Sequence, residues 1–271
     1  MPIWLSLSVR RHNVGVRPSW SGYEQISNDD GLAARTWWDV TAADYLREHG
    51  SFLGKRDLRW CPEGLLEDDV QLLGDLTGLR VLEVGCGAAQ GARWAFDVGA
   101  DVVGIDVSVS MLIADDADVP LICADARALP FVANSFDVAF SAFGAIPFVP
   151  DPHTVHSEVA RVLRPGGRWV FAIPHPFRWC FLDDPTEAGL TAHRSYFDER
   201  PYVETDASGT PVYAEYHYTL GAHLRAVVTA GFIVTDLVEP TWQAGDAVWG
   251  GWGPVRGEFL PGTAIFVTQL P

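Results

Sequence analysis

The residues with the clearest chemical potential lie in a glycine-rich segment. Residues 81–87 (VLEVGCG) place an acidic side chain and two glycines at the end of a β-branched run. Glycines at such a position let the backbone come close to a ligand. A dinucleotide fingerprint would need a further glycine where Gln90 stands, and Glu83 would repel a pyrophosphate. The segment therefore favours a ligand that carries positive charge.

Two more carboxylates follow the next two β-branched runs. Asp106 comes directly after residues 101–105, where a carboxylate can accept two hydrogen bonds from ribose hydroxyls. Asp125, followed by Ala126, comes after residues 120–123 and is placed to meet an adenine amine. The carboxyl ends of parallel strands meet at one edge of a sheet, so these side chains are expected to surround one ligand.

The elements that position these residues alternate in type along the chain. Short β-branched runs alternate with helical segments, and they occupy residues 80–84, 101–105, 120–123, 136–140 and 168–173. This pattern is typical of buried parallel strands. A helix at 220–230 and strands at 232–238 and 264–268 complete the series. The sequence predicts a Rossmann-like, doubly wound α/β fold with a seven-stranded, mostly parallel sheet and an antiparallel edge strand.

The rest of the chain predicts additions to this sheet. Apolar spacing predicts one helix from residue 32 to 49, with Gly50 as its stop, and a second from 65 to 76. Between residues 174 and 217 the alternation stops, a length typical of a functional insertion or lid. The predicted division is an N-terminal arm (1–30), a helical cap (31–78), a core (79–174), a lid (175–218) and a C-terminal completion of the sheet (219–271).

The motifs, taken in order, resemble those of class I S-adenosylmethionine-dependent methyltransferases, of the type found in ubiquinone and menaquinone biosynthesis. The resemblance is strong over residues 79–174 and moderate over 217–239. One departure is Ala89, which stands where the family's ExGxGxG motif has its third glycine. The residues that the resemblance assigns to S-adenosylmethionine are Glu83, Gly85, Cys86, Gly87, Asp106, Val107, Met111, Asp125, Ala126 and Ser141.

Aromatic residues predict where a methyl acceptor would bind. All seven tyrosines and all tryptophans except Trp94 and Trp169 lie outside residues 79–174. The arm, the insertion and the loop 242–252 are therefore expected to cover the site with aromatic side chains, although such side chains can also serve only to bury area. The residues predicted to contact the acceptor are Trp38, Tyr45, Trp60, Phe143 and His217.

His175 is the candidate general base. It follows the fifth predicted core strand, at the sheet edge where an acceptor would meet the methyl donor, and imidazole titrates near neutral pH. Two alternatives stay open at this point. His175 can be a structural residue that hydrogen-bonds the lid, or it can orient an amine acceptor that needs no base.

Charge and composition exclude several classes of function. The net charge is −16, from 19 basic and 35 acidic residues, which disfavours nucleic acid and anionic lipid as partners. No apolar run reaches the roughly 20 residues that span a bilayer, and the arginines near the N-terminus follow its apolar run, unlike those of a signal peptide. Four widely spaced cysteines suggest neither a disulfide framework nor a metal site. A cytoplasmic protein is expected.

The predicted function is methyl transfer from S-adenosylmethionine to a small, apolar or aromatic acceptor by metal-independent in-line displacement. Nucleic-acid and protein methyltransferases are a weaker alternative, because residues 141–144 (SAFG) replace the Asn/Asp-Pro-Pro-aromatic motif typical of exocyclic amine methylation. A non-catalytic S-adenosylmethionine-binding regulatory protein is a third possibility. The acceptor atom (oxygen, nitrogen or carbon) and the oligomeric state stay open.

Overall fold

The computed structural model describes residues 18–26, 32–116 and 118–271, with only the backbone of Leu32. The helices in this part of the chain are α1 (Leu32–Leu53), α2 (Glu67–Val70), α3 (Gln90–Asp97), α4 (Val109–Leu112), α5 (Pro152–Val162), α6 (Leu220–Thr229) and α7 (Pro254–Gly257). The strands are β1 (Trp20–Tyr23), β2 (Arg80–Val84), β3 (Asp101–Asp106), β4 (Leu121–Cys123), β5 (Phe136–Ser141), β6 (Leu163–Pro174), β7 (Tyr202–Thr205), β8 (Pro211–Glu215), β9 (Ile233–Val238) and β10 (Thr263–Gln269).

The larger sheet has seven strands in the order β4-β3-β2-β5-β6-β10-β9. Strands β2 to β6 pair in parallel, whereas β10 runs antiparallel to both β6 and β9. One hydrophobic cluster covers each face of this sheet, so its central strands are apolar on both sides. The predicted Rossmann-like α/β fold is confirmed, and β9 with β10 forms its antiparallel edge.

A second, three-stranded antiparallel sheet has the order β1-β7-β8. It joins residues near the N-terminus to the segment between 175 and 218, which the sequence assigns to a lid. A group of aromatic side chains from this sheet, α1 and nearby loops packs together, and we term it the aromatic cluster. Its main members are Trp37, Trp38, Tyr45, Phe143, Phe148, Trp179, Tyr202, Tyr213 and Trp249.

The two predicted N-terminal helices differ from those in the structure. The first continues through Gly50 to Leu53, and the chain turns at Gly54, whose φ is +74°. The second, predicted over 65–76, is wrong: α2 ends at Val70. The backbone at Gln71 is in the left-handed region, and the Leu73 N–H donates to the buried Glu67 carboxylate over 2.6 Å. This side-chain bond replaces the helical hydrogen bond that Leu73 would otherwise make.

Candidate functional site

A cleft of about 1060 Å³, counted to its open mouth, lies at the carboxyl ends of β2 to β5. Open α/β sheets bind their ligands at this edge. Most of the side chains predicted from sequence are brought together here. Those that line the cleft are Trp38, Tyr45, Glu83, Gly85, Cys86, Gly87, Asp106, Val107, Met111, Asp125, Ala126 and Phe143.

The loop between β2 and α3 depends on two glycines. Gly85 and Gly87 have φ values of +73° and +52°, which residues other than glycine rarely adopt. A Cβ at Gly85 would also lie 2.8 Å from the backbone nitrogen of Ala145. Ala89, the departure from the family motif, adopts the same left-handed region, with φ of +65°. The loop therefore keeps the left-handed turn that the missing glycine would favour.

Glu83 is a buried carboxylate at the floor of the cleft. Its side chain is 4% exposed, and Oε2 has no hydrogen-bond partner among the described residues. Burial, together with the nearby Asp106, raises the pKa of Glu83 to about 8, and the Ala92 N–H and Arg93 limit this rise. An unpartnered carboxylate oxygen in such a place favours a cationic ligand, because buried charge is stable only when it is paired.

Asp106 is fixed by backbone donors from both sides. The Gly87 N–H donates to Oδ2 over 2.8 Å, and the Ser108 N–H donates to Oδ1 over 2.9 Å. Burial raises the pKa of Asp106, and these N–H groups counteract the rise. Each carboxylate oxygen keeps a further lone pair, so the group can still accept hydrogen bonds from a ligand.

Asp125 is held by its neighbour Arg127. The guanidinium donates to both carboxylate oxygens, with the shortest contact 2.7 Å from Nη2 to Oδ2. Partial burial raises the pKa of Asp125, but the hydrogen bonds from Arg127 outweigh this effect and leave the pKa below its usual value. Asp125 is thus an ionised acceptor at the cleft wall.

The opposite wall is aromatic. Trp38 makes edge contacts with Tyr45 and Phe148, with ring centroids 5.2 and 5.5 Å apart. Phe143, in the loop after β5, packs against Trp249 at 5.3 Å and has a φ of +61°. This wall therefore combines α1 and the loop after β5, with the loop that carries Trp249 packed behind Phe143. Among the described residues, none of the predicted insertion 175–218 lines the cleft.

Two predicted residues lie behind the cleft and not in its wall. Ser141 is completely buried, and its hydroxyl points to the Gly144 carbonyl at 3.4 Å. Trp60 lies in the hydrophobic core, where its indole N–H donates to Glu67 Oε2 over 2.8 Å. The assignment of Trp60 to an acceptor site is therefore corrected, since the carboxylate that holds it is on the core side.

The two predicted histidines also lie outside the cleft. The Phe177 N–H donates to Nδ1 of His175, and Nε2 lies 2.8 Å from Oε1 of Glu239. Both ring nitrogens are thus engaged, which corrects the assignment of His175 as a base facing a methyl donor. His217 Nε2 donates to the Tyr196 carbonyl over 2.9 Å, and burial lowers the pKa of His217 to about 4.

Several cleft residues were not predicted from sequence. Asp57, Arg59 and Gln90 line the cleft beside the glycine loop, and Phe148 lines its aromatic wall. The sequence did carry a signal that α1 faces the cleft. One face of this helix presents Trp38, Tyr45 and Leu53 at helical spacing, and all three line the cleft. Arg59 lies in an irregular segment, where no periodicity marks it.

Two features are absent from the part of the chain that the structure describes. No helix there has the length and apolar character needed to cross a membrane. No three histidine, cysteine or acidic side chains in that part of the chain are grouped so that they could hold a metal ion.

The central region of the chain, which contains the glycine loop, is similar to known proteins. Residues 82–171 match the sequence profile of the methyltransferase domain family. The chain carries a methyltransferase domain. The match confirms the resemblance inferred from the motifs around Glu83, Asp106 and Asp125, and the methyltransferase domain spans β2 to most of β6.

Individual relatives extend the similarity. A demethylmenaquinone methyltransferase from Renibacterium salmoninarum is 39% identical over 111 residues, which are 40% of this chain and 46% of the relative. A solved S-adenosylmethionine-dependent methyltransferase from Mesorhizobium loti superposes with a TM-score of 0.60 at 26% identity, and the match covers 74% of this chain and 94% of that one. The [4+2]-cyclase SpnF shares the fold alone, with a TM-score of 0.59, 20% identity, and coverage of 92% and 99%. The chain spans about half the length of the curated relatives it matches.

Proposed function

We propose that this protein transfers the methyl group of S-adenosylmethionine to a small, apolar or aromatic acceptor. The observation that carries the proposal is a single cleft with two different walls. One wall presents Glu83, Asp106 and Asp125 around a glycine loop, and the other presents Trp38, Tyr45, Phe143 and Phe148. A polar ligand and an aromatic one could therefore meet in it.

The acidic wall fits S-adenosylmethionine. Glu83, with its unpartnered Oε2, would hold the ammonium group of the methionine moiety. Asp106, anchored by Gly87 and Ser108, would accept hydrogen bonds from the ribose hydroxyls, and Asp125 would accept one from the adenine amine. Cys86, Val107, Met111 and Ala126 would pack against the nucleoside.

When bound, S-adenosylmethionine supplies an electrophilic methyl group attached to a sulfonium sulfur. The residues of this chain would contribute position and exclusion of water. Two reactants bound side by side in the right orientation lose no further entropy by meeting in solution. This effect can lower the activation barrier by about 7 to 11 kcal/mol. The aromatic wall, closed by Trp249 against Phe143, would keep water from the acceptor. With His175 bound to Glu239, we assign no general base.

The names of the relatives support one class of acceptor. Several are named for demethylmenaquinone, and another for ubiquinone biosynthesis. Together with the aromatic wall, these names support a phenolic or quinol-like acceptor for this chain. We also propose, as the sequence suggests, that no metal takes part in the reaction. Enzyme treated with a chelator should then keep its activity.

The fold by itself does not decide the reaction, because a cyclase shares it. The test is incubation with S-adenosylmethionine that carries an isotopically labelled methyl group and a panel of quinols, phenols and heteroaromatic amines. Labelled product together with S-adenosylhomocysteine is the expected result. Labelling of added nucleic acid or protein would support the weaker alternative. Tight cofactor binding without transfer to any acceptor would support a non-catalytic role.

A further inference from the structure

Asp39 is an acidic residue of α1 that is hydrogen-bonded to the core on the cofactor side of the cleft. Its Oδ1 accepts a hydrogen bond from the Ser108 hydroxyl over 2.7 Å and a second one from the Ser110 N–H over 3.1 Å. Ser108 is completely buried between β3 and α4, and Ser110 lies in α4. Asp39 therefore fastens α1 to the turn that directly follows Asp106.

Ser108 connects Asp39 to Asp106 through an unbroken series of hydrogen bonds. Its N–H donates to Asp106 Oδ1 over 2.9 Å, and its hydroxyl, which donates to Asp39, also accepts from the Met111 N–H over 3.1 Å. One hydroxyl can donate and accept at the same time. Because Asp106 also accepts from the Gly87 N–H, the glycine loop and α1 are joined through two carboxylates and one serine.

A ligand bound to Asp106 would therefore affect α1. The proposed function gives the ribose hydroxyls to Asp106, and their hydrogen bonds would hold this carboxylate, and with it the Ser108 N–H, in one position. Binding that orders one segment lowers the entropy cost of ordering the segment attached to it. Met111 provides a second connection, since its side chain both lines the cleft and packs in the aromatic cluster.

The sequence of α1 stabilises the ends of this helix poorly. Its first turn has no acidic residue and its last turn has no basic one, so neither end interacts favourably with the helix dipole. The stability of such a helix comes mostly from its tertiary contacts. The side chains of α1 that line the cleft are Ala34, Trp38, Tyr45 and Leu53. Firmer docking of α1 would therefore fix one part of the aromatic wall.

We propose that Asp39 is a positioning residue that couples the cofactor site to the aromatic wall. When the ribose binds to Asp106, α1 docks more firmly through Asp39, and Trp38 and Tyr45 are held in place for the acceptor. Coupling between two sites is reciprocal, so docking of α1 also strengthens cofactor binding. This inference rests on the proposed function, and Asp39 lies outside residues 82–171, which match the methyltransferase domain family.

The test measures hydrogen–deuterium exchange in peptides of α1 by mass spectrometry, with and without saturating S-adenosylhomocysteine. Amide exchange reports how often a helix opens locally. The proteins are wild type, Asp39→Ala, Asp39→Asn, Ser108→Ala and the control Asp44→Ala. Asp44 lies in the same helix but pairs with Arg47, also of α1. Calorimetry measures the affinity of each protein for S-adenosylhomocysteine and shows which concentration saturates it.

In wild type we expect S-adenosylhomocysteine to slow exchange in α1 about tenfold or more, within the range typical of coupled sites. In Asp39→Ala this slowing should fall to about threefold or less, and the affinity should weaken about threefold or more because the coupling is reciprocal. Asp39→Asn should lose less, since its amide oxygen can still accept both hydrogen bonds. Asp44→Ala should keep the slowing and the affinity of wild type.

The remaining outcomes separate this inference from the proposed function. Equal slowing in wild type and Asp39→Ala, or no slowing in α1 of wild type, would overturn the role of Asp39 and leave the proposed function intact. If Asp39→Ala does not fold, Ser108→Ala removes the same side-chain hydrogen bond from the other partner, and unchanged slowing in that variant would overturn the role as well. Failure of wild type to bind S-adenosylhomocysteine would instead contradict the proposed function.

Discussion

A Cβ atom on Gly91 would lie 2.4 Å from Oε1 of Glu83 and 3.0 Å from the ring of Phe140. The first turn of α3 is therefore shaped around the Glu83 carboxylate. Any side chain at Gly91 would have to move a buried group that faces the cleft, so this glycine couples the start of the helix to the proposed ligand site.

Gly91→Ala is expected to destabilise the protein by about 1 to 3 kcal/mol through overpacking, although alanine has the higher helix propensity. It should also weaken binding of S-adenosylhomocysteine, because Glu83 must rotate. Thermal unfolding and calorimetry check both effects. The matched control is Gly50→Ala in α1, where a Cβ meets nothing within 4 Å and a gain of about 0.5 to 1 kcal/mol is expected. Equal gains at both positions would contradict the coupling.

Asp106→Ala should weaken S-adenosylhomocysteine binding about tenfold or more, because charge-assisted hydrogen bonds contribute about 1.5 to 3 kcal/mol. The free protein should lose stability as well, since the N–H groups of Gly87 and Ser108 lose their acceptor. Asp101→Ala, at the exposed start of the same strand, serves as control in both measurements. Unchanged affinity in Asp106→Ala would place the ribose elsewhere.

Glu83 should release a proton when the ligand binds. With its pKa at about 8, most of the free protein carries protonated Glu83 at pH 7, and a bound ammonium group would favour the ionised form. The binding enthalpy of S-adenosylhomocysteine should therefore differ between buffers of different ionisation enthalpy, and Glu83→Gln should remove most of the difference. No buffer dependence in wild type would argue against an ammonium group beside Glu83.

Buried histidines should make the protein sensitive to mild acid. Burial lowers the pKa of His49 and His217 to about 4, and that of His156 and His223 to about 3. Between pH 6.5 and 4 these histidines bind more protons in the unfolded chain than in the folded one, so their contribution to the free energy of unfolding should fall as pH falls. The raised pKa of Glu83 acts in the opposite direction, and four histidines outweigh this one carboxyl group. Denaturant unfolding at pH 7 and 5 measures the loss. His49→Gln should reduce it, whereas the exposed His193→Gln should not.

His175→Ala should affect stability more than catalysis. It removes the contact with Glu239 and the acceptor for the Phe177 N–H, for which we expect a cost of about 1 to 3 kcal/mol. Affinity for S-adenosylhomocysteine should stay unchanged, and methyl transfer, once an acceptor is known, should fall less than tenfold. A hundredfold fall in a folded variant would restore His175 as a general base.

The central strands of the larger sheet were predictable because each contains a short apolar run rich in β-branched residues or phenylalanine, as in β2 and β5. Arg80–Val84 has the predicted bounds, and the positions of Asp106 at the end of β3 and of Asp125 after β4 follow from the parallel order of the strands. The smaller sheet could not be predicted in this way. Its pairing of Trp20 with Thr205 joins residues far apart in sequence, and no local pattern fixes such a partner.

The direction in which a side chain points could not be predicted from the sequence either. The position of His175 after β6 was predicted, but its orientation depends on Glu239, which follows β9. Trp60 similarly faces the core because Glu67, in a helix one turn long, accepts its N–H. In both cases a single partner, brought near by tertiary structure, decides whether a residue reaches the cleft.

The pairing of β1 with β7 has a consequence for how new specificities could arise. The acidic wall of the cleft is encoded by one uninterrupted stretch, from Glu83 to Asp125, whereas the aromatic cluster draws on α1, β7, β8 and the loop around Trp249. Recombination that exchanged only residues 175–218 between homologues would separate β7 from its partner β1, and β8 from α1, on which it packs. Under the proposed function, a change of acceptor would therefore need substitutions in several separate elements, and exchange of one segment would not be enough.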